Sequence, residues 1–170
     1  MKEIEVKFKV KNFRNIIPKL NKLGARLVWQ GLEQNVFFDF PAGKLKKQGV
    51  VLRLRKWPGH SNLLTLKTGG GQSSKKYNVR DEYQIKIDDI KSTKEILKNL
   101  GLVECFYYKK FRQHWTLGKT AIELDKLRHI YFVEIEAPKK EINELAKILG
   151  LDWKQSNTKN YLEILKELKL

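Results

Sequence analysis

The sequence predicts an α+β fold in which helices pack on the outer face of an antiparallel β-sheet, and three observations lead there. Seven segments alternate ionisable or polar residues with apolar ones, the period of a strand with two unlike faces. Stretches with helical spacing and recognisable caps lie between them. The chain has 170 residues and 41% apolar side chains, enough to close a real core as one domain over residues 1–170.

Glu3 to Phe8 opens the series, with Ile4, Val6 and Phe8 on one face and Glu3, Glu5 and Lys7 on the other. Asn12 then caps a helix running to Leu23, where Gly24 stops it; Pro18 inside that pattern kinks the helix or marks a later start. Val36 to Phe40, around Asp39, is a further strand. Val50 to Arg55 follows, with Arg53 and Arg55 flanking Leu54, and then Leu63 to Lys67. Thr68 to Asn78, holding Gly69-Gly70-Gly71 and Ser73-Ser74, is a flexible loop too short to separate domains. After the strand Arg80 to Ile87, Ser92 and Glu95 make a capping box for a helix that Gly101 ends. Tyr108 to Trp115, Ala121 to Asp125 and Tyr131 to Glu136 complete the strands. Pro138 opens a helix that carries Ile142, Leu145 and Ile148 to Gly150, and a last amphipathic stretch runs from about Thr158 to Leu168. The helix ends Lys22-Leu23-Gly24-Ala25, Asn99-Leu100-Gly101-Leu102 and Ile148-Leu149-Gly150-Leu151 resemble one another and suggest an internal pseudo-repeat.

Lys and Arg number 35 against 19 Asp and Glu, a formal charge of +16 that implies an anionic partner. Nucleic acid, acidic lipid and nucleotide phosphate all answer that description. No apolar run approaches the ~20 residues of a membrane span, and no secretory segment opens the chain, so a cytoplasmic protein with no membrane partner is expected. Cys105, the one cysteine, excludes an intramolecular disulfide and reads as a small buried hydrophobe. No Cys/His spacing suggests zinc. Trp29, Trp57, Trp115 and Trp153 read as exterior packing or rim residues, and His60 and His129 as loop residues.

The charged strand faces carry the chemistry. An ordinary antiparallel sheet turns such a face to water. Here the in-phase residues are seven acids (Glu3, Glu5, Glu82, Glu123, Asp125, Glu134 and Glu136) and seven bases (Lys7, Arg53, Arg55, Lys67, Arg80, Lys110 and Arg112). Lys109 is adjacent to Lys110; alternation with Arg112 favours Lys110 as the inward one, and a bulge would reverse that choice, while His114 shares the parity of Lys110. Four of the seven arginines fall on these faces, and arginine's planar fork grips phosphate through two parallel bonds. The doublets Glu3/Glu5, Glu123/Asp125 and Glu134/Glu136 each place two carboxylates about 7 Å apart on one strand face, which favours a cation between them. Hard ions such as Mg²⁺ or Mn²⁺ take such ligands. Curling the sheet into a barrel would turn both sets into a polar lumen, with Ile4, Val6, Phe8, Leu54, Leu66, Ile85, Ile122, Leu124, Val133 and Ile135 binding helices outside.

Glu3-Ile4-Glu5-Val6-Lys7 resembles the Glu-x-Glu-x-Lys signature of the CYTH family, the triphosphate tunnel metalloenzymes, which includes class IV adenylyl cyclases, thiamine triphosphatases and inorganic tripolyphosphatases. Phe37-Phe38-Asp39, Leu52-Arg53-Leu54-Arg55, Thr65-Leu66-Lys67, Arg80-Asp81-Glu82, Lys110-Phe111-Arg112, Glu123-Leu124-Asp125, Val133-Glu134-Ile135-Glu136 and Lys159-Asn160-Tyr161-Leu162 follow in the family's order. Asn160 stands where relatives often carry Ser, and Leu66 precedes Lys67 where cyclase-like members commonly carry an aromatic residue.

The resemblance implies a closed antiparallel eight-stranded β-barrel, a tunnel with helices packed around the outside. It implies that Lys7, Arg53, Arg55, Lys67, Arg80, Lys110, Arg112 and Lys159 bind a triphosphate. Glu3, Glu5, Asp125, Glu134 and Glu136 would bind Mg²⁺ or Mn²⁺, with Glu82 and Glu123 as nearby or alternate ligands. Glu5, Glu134, Glu136 and Asp125 would then be catalytic through a metal-activated water. The expected activity is metal-dependent hydrolysis of tripolyphosphate, thiamine triphosphate or a nucleotide. One alternative is a class IV adenylyl cyclase forming cyclic AMP and pyrophosphate. Another is a noncatalytic binder of polyphosphate or of an RNA 5′-triphosphate, for which the exterior lysines Lys44, Lys46, Lys47, Lys75, Lys76, Lys139 and Lys140 argue. The expected partner is thus a triphosphate-containing small molecule, nucleic acid entering only through a 5′-triphosphate or the nonspecific basic surface. Monomer and homodimer both stay open.

Overall fold

The computed structural model describes residues 2–69 and 76–167, apart from the side chain of Lys166. Gly70, Gly71, Ser73, Ser74 and Lys75 of the glycine-rich loop, and Leu168, lie outside the described residues. Eight antiparallel strands form a closed barrel: β1 (Lys2–Val10), β2 (Arg26–Asp39), β3 (Val51–Trp57), β4 (Ser61–Thr68), β5 (Asn78–Ile87), β6 (Val103–Leu117), β7 (Thr120–Leu127) and β8 (Ile130–Glu136). Their order is β5-β4-β3-β2-β6-β7-β8-β1, and β1 closes the ring on β5 from Lys2↔Asp81 to Glu5↔Asn78. A two-residue strand, β9 (Ser156–Asn157), pairs with Lys7 and Phe8 of β1. The helices are α1 (Ile17–Lys22), α2 (Lys44–Lys47), α3 (Ile90–Asn99), α4 (Lys139–Leu149) and α5 (Tyr161–Glu167). None is long and apolar enough to cross a membrane.

The outward strand residues meet the helices largely as their parity predicts. Val6, Phe8, Ile122, Leu124, Val133 and Ile135 are buried beneath α4, against Ile142, Leu145, Ala146 and Leu149, with Leu20 of α1 in the same core. Each such aliphatic or aromatic side chain contributes about 1.5–3 kcal/mol on full burial. Leu54, Val36 and Phe38 pack on Leu97 and Leu102 around α3. Ile85 departs from expectation: it and Tyr83 are each 60% exposed, because no described helix covers the outer face of β5. In a third cluster, Tyr161, Ile164 and Leu165 of α5 pack on Phe37, Tyr108 and Phe132. Phe37 and Tyr108 also line the barrel's cavity, so α5 closes that end.

Local chemistry explains where the elements differ from expectation. The first helix starts at Ile17 with Pro18 in its first turn, where proline's missing N–H costs nothing; Asn12 instead accepts from Arg14 N at 2.9 Å. Asp89, not Ser92, caps α3, accepting from Lys91 N and Ser92 N. β2 begins ten residues before the expected Val36 and β6 begins five before Tyr108, because register shifts at Leu27/Trp29 and Phe37/Phe38 interrupt the period-two pattern. The second shift skips Cys105, which is exposed and not a buried hydrophobe. The three similar helix ends are one device: Gly24, Gly101 and Gly150 have φ of 76°, 86° and 74°. The residues after them, Ala25, Leu102 and Leu151, donate back to Leu20 O, Leu97 O and Ala146 O at 2.8–3.0 Å, the C-terminal closure that a left-handed residue permits.

Candidate functional site: a charged tunnel

The inward parity of the strands lines a cavity of about 370 Å³. Lys7, Arg53, Arg55, Lys67, Arg80, Lys110 and Arg112 all reach it, as do Glu3, Glu5, Glu82, Glu123, Glu134 and Glu136. Lys110 is buried while Lys109 is exposed, so alternation selects the inward lysine. The cavity also takes in residues that parity did not single out for it: Asn78, Tyr108, Tyr161 and, at the end of β3 away from α5, Trp57 and His60. His114 lines the same end, its Nδ1 2.8 Å from Glu123 Oε1. Trp57 is thus a wall residue. It stacks on Trp29 at 5.1 Å and 11° and on His60 at 5.5 Å, with the Arg55 guanidinium 5.4 Å from its ring.

Two predicted site residues lie elsewhere. Asp125 is fully buried, and both its oxygens are taken: Arg112 donates to each (2.7 and 2.6 Å), and Lys110 (2.8 Å) and Tyr161 Oη (2.6 Å) donate to Oδ2. Lys159 turns outward and pairs with Glu167. Its neighbours Asn160, Tyr161 and Leu162 line the cavity instead. Asn160 caps α5 in a reciprocal box: its Oδ1 accepts from Glu163 N at 3.0 Å and its N–H donates to Glu163 Oε2 at 2.9 Å.

Sequence reasoning missed Glu33 on β2. It is 0% exposed and accepts from Trp57 Nε1 at 2.5 Å and Asn35 Nδ2 at 2.8 Å. Arg55 Nε, Arg112 Nη1 and Lys110 Nζ lie 3.4–3.6 Å from its oxygens. Burial alone would raise its pKa, but Arg112, Arg55 and Lys110 hold it well below the usual carboxylate range. The signal was present: Glu33, Asn35 and Phe37 share one parity.

The acids and bases are not evenly matched. Lys7 bridges Glu5 (3.3 Å) and Glu134 (2.7 Å), and Lys67 bridges Glu3 (2.6 Å) and Glu82 (2.7 Å). Arg53 makes no ion pair among the described residues, and its buried Nε has no hydrogen-bond acceptor. Burial and the adjacent Arg55 lower its pKa. A half-buried guanidinium without a counter-ion calls for an anion.

The carboxylates carry the opposite strain. Glu5 faces Glu136 across β1 and β8, and Glu123 faces Glu134 across β7 and β8. Burial, then repulsion from Glu5, pushes Glu3 up to about 8 despite Lys67. Glu136 stands at the solvent-reached rim yet is pushed up to about 7 by desolvation and by Glu5, Glu82 and Glu123. Lys7 counters burial at Glu5 and holds that carboxyl low. One buried oxygen of Glu123 lies 3.5 Å from Arg112 Nε without hydrogen-bond alignment. Among the described residues no three of these acids are grouped closely enough to hold an ion together, because lysines stand between them. Their chemistry, hard oxygen donors crowded beyond electrostatic comfort, fits a divalent cation.

Comparison with known proteins adds independent findings. The sequence model of the CYTH domain matches residues 1–169. A Methanocaldococcus jannaschii protein provisionally named an adenylate cyclase is 26% identical over 171 residues, covering 100% of this chain and 91% of that protein. A Vibrio parahaemolyticus structure under the same provisional name superposes with a TM-score of 0.82 at 24% identity, covering 96% of this chain and 97% of the other. A Hippeastrum protein provisionally named an adenylyl cyclase and described as having a dominant triphosphatase activity superposes at 0.70, with 17% identity and coverage of 99% and 97%. At those identities the two superpositions show a shared fold.

Proposed function

This chain belongs to the CYTH domain family, and from that premise we propose that it is a divalent-metal-dependent triphosphatase that binds its substrate inside the tunnel. The unpartnered guanidinium of Arg53, one inward step beyond Arg55 on β3, is the observation that carries this reading. Arg53, Arg55 and Arg80 offer forks to phosphate oxygens, and Lys7, Lys67, Lys110 and Arg112 add charge held in place by their carboxylate partners.

Glu3, Glu5, Glu134 and Glu136, with Glu123 beside them, would hold Mg²⁺ or Mn²⁺. The ion would supply Lewis-acid stabilisation of phosphate oxygens and an acidified water. The chain's own residues do the rest. Arg53 and Arg55 neutralise the chain of phosphates, Lys7 and Lys67 exchange carboxylate contacts for phosphate ones, and the enclosing barrel excludes bulk water, which strengthens each charged contact. Asp125, saturated by four donors, orients Lys110, Arg112 and Tyr161 from behind the wall. Positioning and charge neutralisation thereby provide most of the acceleration of phosphoryl transfer to water.

A second reading, cyclisation of ATP by attack of the ribose 3′-hydroxyl, is favoured by the name of the Methanocaldococcus jannaschii relative. Incubation with Mg²⁺ or Mn²⁺ and tripolyphosphate, thiamine triphosphate or ATP, followed by product separation, decides between them. Orthophosphate release supports hydrolysis, and cyclic AMP with pyrophosphate overturns it for ATP. Glu5→Gln should abolish turnover while the circular dichroism spectrum stays that of the wild type.

A further inference from the structure

The carboxylate of Glu33 is completely buried in the tunnel wall and does not border the cavity. On β2 it stands opposite Lys110 of β6, two residues before Asn35, which stands opposite Arg55 of β3. One oxygen, Oε2, receives the Trp57 indole N–H and lies 3.4 Å from Arg55 Nε and 3.5 Å from Arg112 Nη1. The other receives the Asn35 amide. A negative charge here opposes anion binding, so attraction alone would be stronger without it. What it gives is order: the Trp57 indole is hydrogen-bonded to one fixed oxygen, and the Arg55 and Arg112 guanidiniums lie within ion-pair distance of that same oxygen, Arg55 Nε without a hydrogen bond, before any ligand arrives.

We propose that Glu33 is a positioning residue that locks Arg55, Arg112 and Trp57 into one preformed unit for gripping a triphosphate. It rests on the reading of the tunnel as a triphosphate site. Trp57 supplies the rigid wall, stacked on Trp29 and facing the Arg55 guanidinium, and Glu33 fixes where that wall stands. Arg55 and Arg112 therefore meet phosphate in a set orientation, and Glu33 never touches the ligand.

Binding of inorganic tripolyphosphate and of ATP, measured by calorimetry in EDTA below the melting temperature of every variant, tests this without requiring turnover. Glu33→Gln makes the site one charge more positive, and Glu33→Asp keeps the charge but withdraws it by one methylene. The expected result is that both variants bind tripolyphosphate about tenfold or more weakly. The near-ultraviolet circular dichroism of the Trp29–Trp57 stack should change in both. Tighter binding by Glu33→Gln with unchanged binding by Glu33→Asp would show a mere counter-charge and overturn the proposal. Lower melting temperatures with unchanged affinities in both would show a structural role and overturn it equally. Should Glu33→Gln not fold, Glu33→Asp decides alone. A wild type that binds neither ligand overturns the tunnel reading and this proposal together, whereas variants that bind as the wild type does overturn this proposal only.

Discussion

Two basic residues of the tunnel, equally legible as strand-phase cations, differ in what holds them. Lys7 sits between Glu5 and Glu134, so Lys7→Ala takes the shared cation from the half-buried Glu5 and the buried Glu134, which keeps Arg112, and should destabilise the protein by about 3 kcal/mol, measured by urea denaturation. Arg53 has no such partner. Arg53→Ala should leave the denaturation midpoint unchanged or raise it while weakening tripolyphosphate binding by about tenfold or more, which calorimetry reads. The distinction was invisible in sequence because parity gives the face of a residue and not its partner across the barrel. Glu33 escaped for a related reason: its strand reads poorly upstream of Val36, where a bulge and a run of exposed residues blur the alternation.

At the scale of elements, α5 shows how a short helix becomes part of a site. The seven described residues of α5 are too few to be stable alone and are held by their cap and by apolar contacts with Phe37, Tyr108 and Phe132. Asn160 supplies the cap and Tyr161, next in sequence, donates to Asp125. Asn160→Ala should lower stability by about 1 kcal/mol by chemical denaturation, and Asn160→Ser, which restores a capping oxygen, should recover most of it. The helix stops and most strands were legible because left-handed glycines and period-two runs are local signals. The start at Ile17 and the cap at Asp89 were not, since neighbouring polar residues offer competing caps and only the packed helix selects among them.

For the molecule as a whole, the crowded carboxylates set the pH response of the metal-free protein. Glu3 and Glu136 have folded-state values of about 8 and about 7 against an ordinary 4.5. Between pH 4.5 and 8 the folded state therefore holds protons that the unfolded chain has released, and stability must fall as pH rises through that window. Glu5, Glu33 and Glu134, held low by their basic neighbours, act oppositely, and their contribution disappears only in acid. The melting temperature in EDTA should accordingly fall from pH 5 to pH 8, and Mg²⁺ or Mn²⁺ should restore it at pH 8, where the ion takes the place of the protons. The formal charge of +16 told little of this, because it does not say which acids and bases of the tunnel pair with one another. By itself the sequence determined the strand faces, the antiparallel sheet with outer helices and the acids and bases that the barrel turns inward, since alternation and capping act between residues close in the chain. Only the tertiary structure decided that Lys7 and Lys67 are clamped, that Arg53 is not, that Asp125 and Glu33 lie behind the wall and that Lys159 faces out. Those outcomes depend on which strands meet across a closed barrel and on how far each side chain reaches, and neither is written in local order.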